Sequence, residues 1–153
     1  MKIAVGADHR GTQAVKMLAD RLRSAGHEVI LMGSVSGEPC DYPESAFLVG
    51  HAIADHQAER GILICGTGLG MAMAANKVHG VRAVTAHDEL TAEMGRAHND
   101  ANIICLSADL LGQRIIEKIV DVFLATTFEG GRHERRLKKV AAIEQGLDPS
   151  TIR

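Results

Sequence analysis

Cys65 stands at the end of an apolar run and directly before a glycine-rich stretch, GTGLG, at residues 66–70. The backbone amides of such a stretch can approach a ligand closely, and they favour a phosphate or an oxyanion that forms during a reaction. A thiol beside such donors can lose its proton near neutral pH, so Cys65 is a candidate base for proton transfer. The competing interpretation is a small buried hydrophobic residue, which is common for cysteine. We adopt that second interpretation for Cys105, which lies inside the run NIICLS.

Familiar phosphate sites fit the glycine-rich stretch less well. A dinucleotide-binding loop needs the spacing G-x-G-x-x-G after the first strand, whereas this stretch is G-x-G-x-G and follows the third predicted strand. A P-loop ends in Gly-Lys-Ser/Thr, but Lys77 lies well beyond the glycines and is followed by Val78. A cysteine phosphatase would need an arginine where Met71 stands, and a phospho-acceptor domain would need an aspartate in place of Cys65. Proton transfer at Cys65 therefore stays the leading functional interpretation.

Apolar runs of strand length alternate with stretches of helical periodicity, which is typical of a parallel sheet covered by helices on both faces. The predicted strands are residues 2–5, 28–32, 61–65, 81–86 and 102–107. Helices are predicted after each strand, among them residues 12–25, a helix that begins near residue 43, and residues 114–125 and 132–143. This pattern predicts an α/β fold, a Rossmann-like, doubly wound, five-stranded parallel sheet. We expect a single domain over residues 1–153, with a polar tail over about residues 145–153.

Each long helix is expected to bury one face against the sheet. The expected inward residues are Val15, Leu18, Ala19 and Leu22 on the first helix, Ala46, Val49, Ile53 and Ala54 on the second, and Ile115, Ile119, Val122 and Phe123 on the helix over 114–125. Met71 and Met73, after the glycine-rich stretch, are expected to be packing residues. Asp41 is a candidate cap for the second helix, and Asp8 for the first.

The composition narrows the classes of function. The chain has 153 residues, 46% of them hydrophobic, and a net charge of −2. It can therefore bury one core, and it has no basic field that would attract nucleic acid or an anionic membrane. No apolar run is long enough to span a bilayer, the N-terminus lacks the features of a signal peptide, and the three cysteines are odd in number and widely spaced. We expect a cytosolic protein with free thiols and with no nucleic-acid or membrane partner.

Polar residues follow several of the predicted strands. They are Asp8, His9, Cys65, Thr67 and His87. Because the carboxyl ends of parallel strands share one edge, where such sheets bind ligands, we expect these residues along that edge.

Arg132 and Arg136 lie one turn apart on the last predicted helix. On a helix this spacing brings both guanidinium groups to one face, where they can converge on one phosphate. The alternative is a solvated basic helix start. Positive charge at a helix N-terminus is unfavourable, which favours the functional interpretation.

Five segments together resemble the ribose-5-phosphate isomerase B family of sugar-phosphate isomerases. They are GADHRG at residues 6–11, DYP at 41–43, GILICGTGLGMAMAANK at 61–77, HND at 98–100 and EGGRHERR at 129–136. They occur in the order typical of the family and extend over nearly the whole chain.

This resemblance implies an aldose–ketose isomerase without metal or cofactor, which acts on a sugar phosphate as a homodimer with shared active sites. It implies that Cys65 moves a proton between C2 and C1, that Thr67 shuttles a proton between the two substrate oxygens, and that His98 opens the furanose ring. The implied substrate contacts are Asp8, His9 and Tyr42, the amides of Gly66, Gly68, Leu69 and Gly70 for the enediolate, Asn99 from the partner subunit, and Arg132 and Arg136 for the phosphate.

Two positions bear on the mechanism and the substrate. Members of the family carry either a cysteine at the position of Cys65 or a glutamate at that of Met71, and this chain has only the cysteine. Where many relatives carry an arginine in the turn after the fifth strand, this chain has Asp109. The sequence therefore predicts interconversion of ribose 5-phosphate and ribulose 5-phosphate. It leaves open the same mechanism on allose 6-phosphate, galactose 6-phosphate or a tetrose phosphate, a non-catalytic sugar-phosphate sensor, and the association of two dimers into a tetramer.

Overall fold

Five parallel strands form the sheet of this protein. The computed structural model describes residues 1–33 and 36–152. Its strands are β1 (Lys2–Ala7), β2 (Glu28–Met32), β3 (Arg60–Cys65), β4 (Ala83–Thr85) and β5 (Ile103–Ser107). Their order across the sheet is β2-β1-β3-β5-β4, and every neighbouring pair is parallel. The predicted α/β class is confirmed, and β5 rather than β4 lies beside β3.

Helices cover both faces of this sheet. They are α1 (Thr12–Ser24), α2 (Tyr42–Ala54), α3 (Leu69–Ala75), α4 (Glu89–Ala97), α5 (Gln113–Ala125) and α6 (Arg132–Glu144). Residues of α1, α4 and α5 share one core, and residues of α2 and α3 share the core on the other face. The chain crosses the sheet in one direction through α1 and α4 and in the other through α2 and α3. Right-handed crossovers therefore place these two pairs on opposite faces.

Apolar side chains of the central strands alternate between the two cores. On β3, Ile62 and Ile64 contribute to the core beneath α1 and α5, whereas Leu63 and Cys65 contribute to the core beneath α2 and α3. A strand buried on both faces reads as a continuous apolar run, which is why the segment before the glycines has no polar alternation. The same alternation directs the Cys65 side chain towards α2 and α3.

The predicted helix faces are confirmed on α1 and nearly so on α2, whereas on α5 Ile119 and Phe123 are buried as predicted, Val122 is half-buried and Ile115 is exposed. The buried residues of α5 are Ile116, Ile119, Val120 and Phe123. Ile115 is 39% exposed, so its predicted inward position is wrong. The buried stripe of α5 has helical period and runs from residue 116 through 119 and 120 to Phe123. Residue 115 lies beside this stripe and faces solvent. Met71 is buried as expected, whereas Met73 is 64% exposed and is no packing residue within this chain.

The C-terminal segment continues beyond α6. Gly146, with φ of +73°, takes the left-handed conformation that often follows a helix end. The predicted polar tail contains a short 3-10 turn at Pro149–Thr151, where Asp148 Oδ1 accepts a hydrogen bond from the Ser150 N–H at 2.8 Å. Residues 34 and 35, in the predicted loop after β2, and Arg153 lie outside the described residues. Across the part of the chain that the structure describes, no helix combines the length and apolar character needed to cross a membrane.

Candidate active site

Cys65 is the last residue of β3, beside Ser107 at the end of β5. Its side chain is nearly buried, at 4% exposure, yet its Sγ accepts a hydrogen bond from the Gly68 N–H at 3.1 Å. An N–H group aimed at sulfur stabilises negative charge there, because it compensates for solvation lost on burial. Cys105, one strand away, is fully buried, and burial raises the pKa of its thiol. Cys105 is therefore the buried packing residue that the sequence predicted, whereas the Cys65 sulfur accepts an N–H group from the glycine-rich stretch.

The glycine-rich stretch passes close over the end of β5. Gly68 has a φ of +79°, and a Cβ atom there would lie 3.1–3.2 Å from backbone atoms of Cys105 and Leu106. Only glycine adopts this conformation at so close an approach without strain. The Leu69 N–H, at the start of α3, faces Thr67 Oγ1 at 3.4 Å. Thr67 is exposed, so its hydroxyl is accessible to a ligand that binds at the glycine-rich stretch after Cys65.

Asp8 and His9 follow β1, which is the other neighbour of β3. The Asp8 N–H donates to Ile64 O at 3.2 Å, and a Cβ atom on Gly11 would overlap that same carbonyl. The Asp8 carboxylate accepts the N–H groups of Arg10 at 2.9 Å and Gly11 at 3.1 Å. It therefore fixes the turn that leads into α1. The expectation that Asp8 caps α1 is wrong, because Gly11 occupies the cap position.

His9 and Tyr42 complete this group of side chains. His9 Nδ1 lies 3.2 Å from Cys40 O, which ties the β1 loop to the segment before α2. Tyr42 is the first residue of α2, and its ring covers Gly70 so closely that a Cβ atom there would lie 2.8 Å from the ring. Asp41 precedes α2 but makes no side-chain cap hydrogen bond. We call the residues Asp8, His9, Tyr42 and 65–70 the glycine-loop cluster. All of them were expected to bind substrate or to act on it.

A second group of side chains surrounds His98, which follows α4. The His98 ring stacks on the His133 ring, with centroids 4.1 Å apart and planes within 6° of parallel. Glu129 Oε2 lies 3.7 Å from His98 Nε2 and 3.6 Å from His133 Nε2. The Glu129 N–H donates to Ala97 O at 3.0 Å, which ties the start of α6 to the end of α4. We call His98, Asn99, Glu129, Arg132 and His133 the histidine cluster.

His133 is the buried member of the histidine cluster, at 4% exposure. Burial, followed by the influence of His98 and Arg132, lowers the pKa of His133. The Arg132 Nε–H points at His133 Nε2 at 3.3 Å, a contact that requires an unprotonated nitrogen there. Arg132 and Arg136 are exposed on successive turns of α6, so the predicted pair of guanidinium groups is available for an anion.

The turn that carries His98 and Asn99 is fixed from beneath by Arg96. Arg96 is buried, and its Nη1 donates to Asp100 Oδ1 at 2.8 Å and to Ala101 O at 2.6 Å. Arg82 Nη2 holds the other carboxylate oxygen of Asp100 at 2.6 Å. These contacts stabilise Asp100 at a φ of +44°, which is unusual for a residue other than glycine. Sequence reasoning missed this support because Arg96 looks like an ordinary helix residue.

Within one chain the two clusters lie at opposite ends of the parallel strands. Cys65 is at the carboxyl end of β3, whereas His98 and Asn99 lead into the amino end of β5. A strand of five residues spans about 16 Å at roughly 3.3 Å per residue. Cys65 and His98 of one chain are therefore separated by about the length of a strand. The structure brings together the predicted residues within each cluster but keeps the two clusters apart.

His87 lies at the carboxyl edge, as predicted, but at the end of β4. Since β5 separates β4 from β3, His87 is two strands away from Cys65. Its N–H faces Thr91 Oγ1 at 3.3 Å, next to the capping box in which Asp88 caps α4. His87 therefore belongs to the start of α4 and not to the glycine-loop cluster.

His98, Glu129 and His133 are also close enough to one another to be considered as metal ligands, with ligand atoms within 4.8 Å. They are the group of this kind found within residues 1–33 and 36–152. The two ring planes are within 6° of parallel, so the lone pairs of their nitrogens lie in parallel planes and do not converge on one point, and the Arg132 Nε–H points at His133 Nε2. This arrangement fits a hydrogen-bonded stack better than a cation site.

Comparison with known proteins gives relatives that match nearly the whole chain. The model of one family, described as Ribose/Galactose Isomerase, matches residues 3–140. Ribose-5-phosphate isomerase B of Escherichia coli is 42% identical over 144 residues, which cover 94% of this chain and 97% of the relative. D-erythrulose-4-phosphate isomerase of Pectobacterium atrosepticum is 37% identical over 145 residues, 94% of this chain and 95% of the relative. The crystal structure of ribose-5-phosphate isomerase B from Mycoplasma genitalium with bound ribulose 5-phosphate superposes with a TM-score of 0.90 at 40% identity, covering 94% of this chain and 96% of that one.

Proposed function

Because this chain belongs to the ribose/galactose isomerase family, we propose that it interconverts ribose 5-phosphate and ribulose 5-phosphate with Cys65 as the base. Family membership makes it an aldose–ketose isomerase of sugar phosphates. The relative from E. coli and the ribulose 5-phosphate in the M. genitalium structure support the pentose. The observation that carries the proposed mechanism is the Gly68 N–H aimed at Cys65 Sγ within a loop of glycine amides.

In the proposed reaction, the Cys65 thiolate removes the proton from C2 of the open-chain aldose. The electrons of the C–H bond form the C1–C2 double bond, and O1 takes the negative charge, which the amides of residues 66–70 stabilise. Thr67 Oγ1 transfers a proton from O2 to O1, and the Cys65 thiol returns its proton to C1 to give the ketose. Met71 stands where other members of the family have a glutamate. It is fully buried and carries no titratable group, so position 71 offers no base that could replace Cys65.

A complete site in this proposal needs two subunits. Acid–base groups must lie within hydrogen-bond reach of the same sugar, yet Cys65 and His98 of one chain are at opposite ends of the parallel strands. We therefore propose a homodimer in which the histidine cluster of one subunit faces the glycine-loop cluster of the other. His98 then opens the furanose ring, Asn99 contacts the sugar, and Arg132 and Arg136 hold the phosphate.

An exposed apolar surface on α2 and α3 supports association. Phe47 is 56%, Leu48 43% and Met73 64% exposed, and the two α2 residues border a groove that also contains Ala74 and Val78. Contiguous exposed apolar surface of this kind is typical of a subunit interface. Size-exclusion chromatography with light scattering would distinguish a monomer, a dimer and a tetramer. Within this proposal the protein works in the cytosol, where its three free cysteines stay reduced.

Complementation between two inactive variants tests the shared site and both catalytic roles at once. Cys65→Ala and His98→Ala should each lose most of their turnover of ribose 5-phosphate. After the two proteins are unfolded together and refolded, half of the dimers carry one copy of each variant, and each of these has one intact site. We expect about a quarter of the wild-type activity to return, because random pairing restores one site in four.

The matched control replaces one partner with the double variant Cys65→Ala/His98→Ala. Mixed with Cys65→Ala, it can build no intact site, so no activity should return. Failure of the two single variants to complement each other would show that Cys65 and His98 do not act across an interface. Full turnover in Cys65→Ala alone would remove Cys65 from the mechanism.

A tetrose phosphate is the second candidate substrate, favoured by the P. atrosepticum relative and by Asp109. Comparison of kcat/KM for ribose 5-phosphate and D-erythrulose 4-phosphate decides between the two. The six-carbon phosphates belong in the same assay. Binding of these sugars without turnover of any of them would instead support a sugar-phosphate sensor.

A further inference from the structure

Arg10 and Asp109 form an ion pair between the loops that follow β1 and β5. Arg10 Nε lies 2.8 Å from Asp109 Oδ2 and 3.1 Å from Oδ1, and Arg10 Nη2 lies 2.8 Å from Oδ1. The carboxylate therefore meets the guanidinium from the side. Nη1, with its two N–H groups, takes no part in this contact. The Arg10 and Asp109 side chains are 55% and 37% exposed, so both are accessible to a ligand.

This pair lies directly against the glycine-loop cluster. A Cβ atom on Gly66 would lie 2.9 Å from Asp109 Oδ2 and 3.3 Å from Arg10 Cδ and Nε. The Asp109 N–H donates to Gly66 O at 3.1 Å, and the Arg10 N–H donates to the Asp8 carboxylate at 2.9 Å. Arg10 and Asp109 thus form a wall of the site next to the residue that follows Cys65.

The charge of this wall differs from that of an unpaired arginine. A free guanidinium at this position would attract a phosphate, whereas the pair has no net charge and presents a carboxylate beside the donors. Carboxylate oxygens accept hydrogen bonds from hydroxyl groups, and the free N–H groups of Arg10 donate to hydroxyl oxygens. Such a wall can hydrogen-bond to the hydroxyl groups of a sugar, and its carboxylate repels a phosphate.

We propose that Arg10 and Asp109 together determine substrate specificity, by contacting sugar hydroxyls and excluding the phosphate from this edge of the site. The inference rests on the proposed phosphosugar substrate. It adds that the phosphate is bound only at the opposite end of the substrate, by Arg132 and Arg136. A merely structural ion pair between two loops is the competing explanation, and exposed pairs of that kind contribute little to stability.

Asp109→Asn tests the proposal, because it preserves the size of the side chain and removes its charge. The probe is inorganic phosphate, titrated calorimetrically into the full-length protein at fixed ionic strength. We expect phosphate affinity to rise about fivefold or more, since removing one nearby negative charge leaves Arg10 free to bind an anion. Asp121→Asn is the matched control, because it breaks a similarly exposed pair with Arg21 between α1 and α5. Phosphate affinity should be unchanged in that variant.

Two further variants separate electrostatics from loop anchoring. Arg10→Ala leaves the Asp109 charge uncompensated, so phosphate affinity should fall below that of the wild type and KM for the phosphosugar should rise. Arg10→Ala/Asp109→Ala restores a neutral wall, so phosphate affinity should return to within about twofold of the wild type. An anchoring role predicts instead that the double variant is impaired as much as Arg10→Ala, with thermal stability falling in parallel.

Calorimetry needs no turnover, so the outcome is separate from that of the proposed reaction. A rise in phosphate affinity for Asp109→Asn supports the wall even if no pentose or tetrose phosphate is converted, in which case only the isomerase substrate is wrong. Phosphate affinity that changes by less than twofold, an equal rise in Asp121→Asn, or no phosphate binding to either the wild type or Asp109→Asn overturns the inference, whatever the activity.

Discussion

Replacement of Arg96 by alanine should both destabilise the protein and disturb the turn that carries His98. Arg96 is 3% exposed, and its guanidinium lies 5.9 Å from the centroid of the Phe123 ring. Its Nη1 makes the two hydrogen bonds, to Asp100 Oδ1 and Ala101 O, that fix this turn. Without them a carboxylate and a carbonyl lose their charged donor in a largely buried place.

The size of the loss follows from what the remaining contacts can compensate. Breaking a buried ion pair costs about 3–5 kcal/mol, because one charge stays buried and unpaired. Asp100 keeps its contact with Arg82 at 2.6 Å, and its side chain is 32% exposed, so the cost is lower here. The variant also relieves the burial of Arg96 Nε, which has no hydrogen-bond partner among the described residues. We therefore expect the free energy of unfolding to fall by about 2–4 kcal/mol.

Urea unfolding, followed by circular dichroism at one fixed protein concentration, measures this loss, since subunit association makes stability depend on concentration. Arg96→Met retains a long apolar stem against Phe123 and separates packing from charge. Arg114→Ala removes an exposed arginine of α5 and should change stability by no more than about 0.5 kcal/mol. A loss below about 1 kcal/mol for Arg96→Ala, or one equal to that of Arg114→Ala, would refute the reasoning.

Three further predictions concern the two clusters. A tetrose 4-phosphate has no free hydroxyl with which to close a furanose ring, so His98→Ala should reduce kcat/KM for ribose 5-phosphate far more than for D-erythrulose 4-phosphate; equal losses would show that His98 does not open the ring. Gly68→Ala should lower stability by about 1–3 kcal/mol and reduce turnover, because the φ of +79° and the 3.1 Å approach to backbone leave no place for a Cβ atom, whereas Gly112→Ala, with open space around it, should be tolerated. Burial lowers the pKa of His133, so the unfolded state binds more protons than the folded state. Stability should therefore fall as the pH drops below about 6.5, towards the lower pKa of the folded state. Urea titrations between pH 7 and 5 should show that the free energy of unfolding depends less steeply on pH in His133→Gln than in the wild type.

The elements of the fold could be predicted from the sequence because each one has a strong local pattern. The apolar run of β3 and the inward stripe of α1 are confirmed nearly to the residue. Ile115 on α5 was misassigned because Ile115 and Ile116 are both apolar, so periodicity alone did not fix which of them faces the sheet. Met73 was misassigned for a related reason, since an apolar side chain on a short helix can face either the core or an exposed surface.

Several residues of each cluster could be predicted from their motifs, but the contacts that bring the cluster together could not. Glu129 and His133 approach His98 only because the start of α6 is tied to the end of α4, a contact that no local pattern reveals. The same holds for Arg96, whose partners Asp100 and Ala101 lie beyond the helix end. These contacts depend on tertiary packing, which overrides what single residue types indicate.

Strand order is the feature that most changes how the site is understood. Sequence reasoning identified Asp109 as a departure from the family, yet it could not say which residues Asp109 would meet. Because β5 lies between β3 and β4, the turn after β5 is next to the glycine loop, and the turn after β1 is on its other side. Arg10 and Asp109 can therefore meet across Gly66. Substrate choice in this family should accordingly be compared at positions 10 and 109 together, since an arginine at 109 without a carboxylate partner and an arginine at 10 paired with Asp109 present opposite surfaces to a phosphate.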